Sequence, residues 1–501
     1  MLRSRRGLCA AIACWLPCAA ARAGPNVPWD APSWVVVRDA IASGRIADPL
    51  GGAQMLGGEQ LQRLLVESGS AAVPGLPPLA LDGPWARPLD RASLRGSLAD
   101  ERARPYSLPV RPRDLAGGIS LSCEHQQGRP CGTGAGAWVE LDSSAGWSTW
   151  LSATTRVRAQ AGSDGYQPDL VLDRAYLKAQ LGPVVLQLGR DVLALGPSVR
   201  SALMVSDHGV PADGARLLLQ SVRLPFAPDV RLSALYFLER LRAPQTYPGT
   251  LLDCARMQLD FFDRVQLGGS RLLQLGGEGG PPVGGLKGFI LEHFSRQGGD
   301  LGISNNRLSF DLSVRLPWLW ASRAYYELAF EDTTRHFFNS LRFDADHLLG
   351  LEIRGLGLGV WRRLFVELEQ TGRTSQEHGQ FLTGMTSSAR TIGTPLGPDG
   401  RSLWIRADLE LPSVRLSPWF EWLRYTSDVY DSNDETGLFV SSRGVAENRQ
   451  RVGIDAALAI GPAWDLTASL FAERVGNAGF VAGETRFNVG MRAAMTYTPA
   501  F

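Results

Sequence analysis

The sequence predicts an all-β transmembrane barrel of about 18 antiparallel strands, with a small N-terminal α-helical region on its periplasmic side. Three observations predict it. Segments of alternating apolar and polar residues recur along the chain from about Gly117. Their connections alternate between short and long, the pattern of an outer-membrane barrel with tight turns at one end and long loops at the other. The chain closes on Phe501, in phase with the apolar face of the last segment. Outside the first residues, no apolar run approaches the roughly 18 residues that a membrane-spanning helix needs.

Residues 1–23 carry Arg3, Arg5 and Arg6, then an apolar stretch from Leu8 to Ala21, then Ala21-Arg22-Ala23. This is the order of a cleaved signal peptide, so the mature chain is expected to begin at Gly24. Lipidation at Cys14 or Cys18 is not favoured, because neither follows a leucine at the usual distance. Removing the segment takes away four arginines and no acid, moving the formal net charge from +1 to −3. A near-neutral chain offers no electrostatic case for nucleic acid.

Residues 24–115 read as a periplasmic helical region. Ser33–Ser43 and Gly58–Ser68 place apolar residues at helical spacing, and Ala92–Arg102 is a third helix candidate. Proline-rich links such as Pro74-Gly75-Leu76-Pro77-Pro78 separate them. The region could plug or cap the periplasmic mouth of the barrel, or form a loosely attached periplasmic domain.

Residues 116–501 read as the outer-membrane β-barrel. In Leu403–Leu411 the odd positions are Leu, Ile, Ala, Leu and Leu, and the even positions are Trp, Arg, Asp and Glu. Leu364, Val366 and Leu368 alternate with Arg363, Phe365, Glu367 and Glu369. Phe487, Val489, Met491, Ala493, Met495 and Tyr497 alternate with Arg486, Asn488 and Arg492. From His347 onward the expected strands are Leu349–Leu356, Arg363–Gln370, Leu403–Leu411, Arg415–Tyr425, Arg451–Ile460, Asp465–Val475 and Arg486–Phe501. If the last strand descends to a periplasmic Phe501, which would present the barrel to its assembly machinery, the turns after Leu356, Leu411 and Ile460 are periplasmic. The loops Gly372–Ser402 and Asp428–Arg449 then face outside. Trp318, Trp320, Tyr325, Tyr326, Trp419, Trp422 and Tyr425 lie near strand ends and suit aromatic girdles toward the outer-membrane lipid.

Few residues suggest covalent chemistry. Cys123 and Cys131 lie close together in a polar segment and suit an extracytoplasmic disulfide, while Cys254 is left as a buried thiol. Two thiolates without neighbouring ligands make an incomplete zinc site, so no metal and no cofactor is expected. The six histidines are scattered, and no zinc-protease, nucleophile-elbow or phosphate-loop pattern occurs. Ser206-Asp207-His208 has the letters of a catalytic triad, but sequence neighbours do not adopt its geometry. The glycines of Gly276–Gly288 lack a dinucleotide fingerprint and read as a flexible connection. On the lumen face, Glu352, Arg354, Arg363, Glu367, Glu369, Arg406, Asp408, Glu410 and Arg492 mix both signs, which suggests an ion-paired interior more than a strongly selective pore. In the loops, His378, Phe381, Asp399, Tyr430, Asn433 and Arg443 combine ring faces with hydrogen-bonding groups suited to polysaccharide.

Several segments resemble the capsule assembly Wzi family of outer-membrane proteins. They are Gly44-Arg45-Ile46-Ala47-Asp48-Pro49 between N-terminal helices, Ala175-Tyr176-Leu177, Leu181-Gly182-Pro183 and Gln187-Leu188-Gly189-Arg190-Asp191. Further on come Gly196-Pro197 with Ser201-Ala202-Leu203-Met204-Val205-Ser206, then Asp311-Leu312-Ser313-Val314-Arg315-Leu316-Pro317, Tyr326-Glu327-Leu328 and Glu331-Asp332. His378-Gly379-Gln380-Phe381 and Gly393-Thr394-Pro395-Leu396-Gly397-Pro398-Asp399-Gly400 complete the series. The sequence departs from the family pattern at Leu193-Ala194-Leu195 and at Ser206-Asp207-His208-Gly209. The resemblance implies an 18-stranded barrel with a helical N-terminal bundle that binds and organises capsular or exported polysaccharide at the cell surface, like a lectin and without catalysis. A channel for a small solute is the alternative, and an outer-membrane hydrolase is a third reading that no residue supports.

Overall fold

The computed structural model describes residues 26, 33–43, 85–100, 104–105, 118–119, 126–127, 129, 131, 133–148, 150–163, 168–294, 304–331, 340–433, 437–461 and 463–499. Eighteen antiparallel strands close into one ring. In order they are β1 (Trp85–Ala99), β2 (Gly134–Ser148), β3 (Leu151–Gly162), β4 (Asp169–Leu181), β5 (Val184–Arg190) and β6 (Asp213–Leu224). There follow β7 (Ala227–Arg240), β8 (Leu251–Phe261), β9 (Val265–Leu275), β10 (Ser304–Leu316), β11 (Ser322–Phe330) and β12 (Asp346–Ile353). The last six are β13 (Trp361–Gln370), β14 (Gly400–Glu410), β15 (Val414–Tyr425), β16 (Glu447–Ala459), β17 (Trp464–Gly476) and β18 (Thr485–Tyr497). Each strand pairs with the next, and β18 closes the ring on β1 from Ala92↔Tyr497 to Ala99↔Gly490. Closure leaves no unpaired edge, which a sheet in hydrocarbon cannot tolerate.

The period-two pattern sets the two faces. In β18, Phe487 and Val489 are 72% and 62% exposed, whereas the inward Asn488 and Ala494 are buried. The seven strands expected after His347 all form, with ends shifted by a few residues. Short connections gather at one end, two residues each at Gly182-Pro183 and Pro225-Phe226. Exposed Trp147, Trp150, Trp318 and Trp320 ring that rim, as amphipathic side chains do at a membrane interface, with apolar Phe226 and Phe262 among them. Tyr325 and Tyr425 belong to neither girdle: each falls on the inward phase of its strand and is buried, and Trp419 likewise lines the lumen.

Two elements differ from expectation. Ala92–Arg102 is not a helix; residues 92–99 are the second half of β1, paired on both sides with β18 and β2. Its Leu94 and Leu98, four residues apart, mimic a helical stripe. They stand with Gly96 between them on one strand face, each 52% exposed. The stretch Gly276–Gly288 is not wholly a loose link, since helix α2 (Gly285–Phe294) begins inside it. Helix α1 (Ser33–Ala42) forms as expected. The candidate helix Gly58–Ser68, residues 1–23 and Phe501 lie outside the described residues.

Lipid-facing and lumen-facing positions should respond oppositely to charge. Leu470 sits midway along β17 and is 50% exposed. Leu470→Arg should destabilise the barrel by about 2–4 kcal/mol, the cost of arginine near the bilayer midplane. Equilibrium unfolding in lipid vesicles measures this directly; an unchanged midpoint would mean that this face does not meet lipid.

Candidate functional site

The functional interior is built from two long connections that fold into the lumen. The first, residues 191–212, joins β5 to β6. Glu367 on β13 fastens it by accepting hydrogen bonds from Ser198 Oγ at 2.9 Å, from Val199 N–H at 2.8 Å, from Arg200 N–H at 3.2 Å and from the Tyr325 hydroxyl. Nearby, Ser201 Oγ donates to Glu369 at 3.1 Å, and the Arg200 guanidinium pairs with Glu421. Gly196 has φ +121, and a Cβ there would stand 2.8 Å from Glu327 Oε2, so only glycine lets the segment turn so close to the wall.

The second connection, residues 371–399 between β13 and β14, is where an external loop is expected over Gly372–Ser402. It folds inward instead. Met385 and Ile392 join Leu193, Leu195, Leu203 and Val205 of the first segment against inward-facing Leu218, Phe237, Leu252 and Leu272 of the wall. This is a hydrophobic core inside a barrel, and dehydrating these side chains is what draws the segment in. The two segments interlock where Ser206 N–H donates to the Ile392 carbonyl at 2.8 Å and Ser206 Oγ donates to the Gly393 carbonyl at 2.5 Å. The Ser206 hydroxyl is therefore committed to packing, and Ser206-Asp207-His208 is a buried turn.

At the tight-turn mouth sits α1, with Trp34, Val37 and Ala40 buried. Asp39 accepts from Arg354 Nη1 at 3.0 Å and from Arg363 Nη2 at 2.5 Å, both beside the short link between β12 and β13. Burial, with Arg354 alongside, lowers the Arg38 guanidinium to about 10, so it stays cationic at neutral pH. Farther along the chain's path, Lys178 Nζ donates to Asn26 Oδ1 at 2.6 Å, while Asn26 Nδ2 donates to Gln187 and Asp191. Several residues that carry the family resemblance thus do structural work in the lumen. Tyr176, Gln187 and Asp191 hold Asn26, Glu327 accepts from Leu203 N–H, and Glu331 accepts from Gln376 N–H.

What the segments leave open is a cavity of about 500 Å³ against the wall of β14–β18, β1 and β2. Small inward residues hollow it, among them Ala457, Thr467, Ser469 and Ala494. Trp404, Trp419, Phe365 and Phe471 line it, with Arg451 stacked over Trp419 at 5.8 Å and over Phe471 at 4.8 Å. Trp419 lies over Gly453, where a Cβ would be 2.3 Å from its ring. Of the expected lumen charges, Arg354, Arg406, Asp408 and Arg492 reach this cavity. Arg406 bridges Asp408 at 3.0 Å and Asp455 at 3.1 Å. The interior is densely ion-paired, as the mixed signs suggested.

The loop residues expected to meet polysaccharide divide into two groups. Phe381 is fully buried, edge-on to Tyr247 at 5.4 Å, and so cannot offer its face to a sugar. Its polar sequence neighbours disguise the ring as a surface residue. His378 is brought beside it and accepts from the Gln380 N–H at 3.2 Å. Asp399 is half-buried, and its Oδ2 accepts from Thr426 Oγ1 at 2.5 Å. Tyr430 and Asn433 lie on the hairpin Val429–Asn433/Gly437–Ser442, which Arg443 follows, exposed. Cys131 is disulfide-bonded; Cys123 lies outside the described residues. Cys254 is a buried free thiol. Among the described residues no cluster of His, Cys, Asp and Glu could hold a metal ion.

This architecture is shared with a solved barrel. Wzi of Escherichia coli, an outer-membrane protein described as involved in group 1 capsule assembly and as a carbohydrate-binding β-barrel, aligns over 96% of this chain and 100% of its own. The TM-score is 0.66 at 16% identity, a likeness of fold. OccD3 of Pseudomonas aeruginosa aligns over 85% of this chain and 94% of its own, at 12% identity and a TM-score of 0.46. No curated protein sequence matches the chain. The family described as capsule assembly protein Wzi matches residues 117–489, more than half of the sequence, and the chain belongs to that family.

Proposed function

We propose that this protein is a non-enzymatic outer-membrane barrel that binds and organises capsular or exported polysaccharide at the cell surface. The observation that carries the reading is the filled lumen. A barrel whose two long segments build a hydrophobic core inside it is suited to hold a polymer rather than to pass solutes. Family membership agrees with that use, and so does the description of the Escherichia coli relative as carbohydrate-binding. In this reading the tight-turn rim and α1 face the periplasm, a signal peptide directs export, and Phe501 engages the barrel assembly machinery. The polysaccharide contacts fall on the long-loop side: Tyr430 and Asn433 of the hairpin, Arg443 just after it, and His378 and Asp399 of the segment between β13 and β14. No nucleic-acid partner and no cofactor enter it.

Two comparisons test the proposal. Loss of the gene should move polysaccharide from the cell-bound to the shed fraction, and its restoration should reverse the shift. Shortening the hairpin 429–442 to a two-residue turn should reduce bound polysaccharide while the barrel still assembles, since the hairpin lies outside the 18-stranded ring. An unchanged partition in both strains would sink the reading and leave solute passage as the function to pursue.

A further inference from the structure

The cavity beside β14–β18 has a composition that the plugging role does not require. Among the described residues, eight arginines line it against four carboxylates. Several of the acids that balance those arginines, including Glu140, Glu352, Glu473 and Asp39, pair with them from outside the lining. A guest in the cavity would therefore meet guanidinium groups in excess. Arg415, on the inward phase of β15 and half-buried in the lumen, has no carboxylate at ion-pair distance among the described residues, and the acids that act on it from farther off, Asp408 and Glu410, are bonded to Arg406 and Arg363. A cation so placed is desolvated and compensated only by acids that other arginines already hold. The second component is aromatic. Trp404 and Trp419 border the same space with Arg200 and Arg451 over their rings, so that indole and guanidinium together form a mixed surface suited to the apolar and polar sides of a sugar ring. The volume lies in the range of small-molecule sites.

We propose that this cavity binds an acidic saccharide unit, its carboxylate taken by Arg415 and neighbouring arginines and its ring laid against Trp404 and Trp419. A planar carboxylate fits the guanidinium fork in a bidentate way that a neutral hydroxyl cannot. The inference rests on the polysaccharide reading above and adds the charge of the ligand and its place inside the barrel.

The experiment uses the full-length protein in detergent and two oligosaccharides of equal length, one of galacturonic acid and one of neutral glucose. Tryptophan fluorescence and calorimetry report binding. The acidic oligomer should bind at least about tenfold more tightly, the worth of one charge-assisted contact. Arg415→Gln should abolish that preference, Arg415→Lys should keep part of it, and Ser469→Trp, which fills the cavity without removing a charge, should block both. Unfolding temperatures identify variants that fail through misfolding, and Ser469→Trp then decides. Equal affinity for the two oligomers, displacement by acetate at the same concentration, or unaltered binding in both Arg415→Gln and Ser469→Trp would overturn the inference. If those variants bind normally while hairpin-shortened cells still shed polysaccharide, the cavity site is wrong and the surface reading stands.

Discussion

A barrel carrying both Glu367→Ala and Asp39→Ala should pass a steady ionic current across a planar bilayer, whereas the unaltered protein should be silent. The two residues fasten different closures. Glu367 holds the segment 191–212 through three neighbouring donors of its turn and through the Tyr325 hydroxyl. Removing the carboxylate orphans the half-buried N–H of Val199, at about 1–3 kcal/mol, leaves Arg200 N–H only its bond to Ser198 Oγ at 3.2 Å, and loses two hydroxyl contacts besides. Asp39 ties α1 to Arg354 and Arg363 at the tight-turn mouth, and each arginine keeps another acid, Glu352 and Glu410 respectively. The helix therefore lets go without stranding a charge on the wall. Each single change should raise amide exchange in its own element and give at most flickering current; the pair should open the path. Glu367→Gln keeps an acceptor and should stay nearly closed. A silent double variant would assign closure to the apolar core formed with Met385 and Ile392.

That competition between polar latches and an apolar core explains what the sequence reveals and what it hides. Strands such as β14 and β18 are legible because one face meets lipid and the other a polar lumen, so the period of two is stamped on them. β1 is not legible alone. Pro88, a register shift between Arg87 and Arg91, and small residues on both faces break the alternation, and only pairing with β2 and β18 makes it a strand. The inward course of residues 371–399 is hidden by composition, since polar and glycine-rich residues outnumber Phe381, Met385, Ile392 and Leu396. A signal existed elsewhere. In β6, β7 and β8 the inward Leu218, Phe237 and Leu252 break the rule that a lumen face is polar, and apolar residues facing inward need an apolar partner inside. The cavity is legible in part. Arg406 and Asp408 are placed by phase, but which arginines converge depends on where the segments leave space.

Arg307→Ala should be among the most damaging single substitutions in the chain. Its guanidinium is fully buried between Glu331, at 3.1 Å, and Asp346. Those carboxylates in turn hold the start of the second lumen segment. Asp346 accepts from Gly372 N–H at 2.7 Å and from Ser375 Oγ at 2.8 Å, and Glu331 accepts from Gln376 N–H. Deleting the cation leaves two buried acids facing each other, and breaking a buried pair in this way costs about 3–5 kcal/mol. The unfolding temperature in detergent should fall, and residues 371–399 should become accessible to protease. The triple change Arg307→Met, Glu331→Gln and Asp346→Asn should recover most of the loss, because it removes every uncompensated charge while leaving amide acceptors for Gly372 and Gln376. A triple variant as unstable as Arg307→Ala would show instead that the shape of the guanidinium, rather than its charge, holds the segment in the lumen.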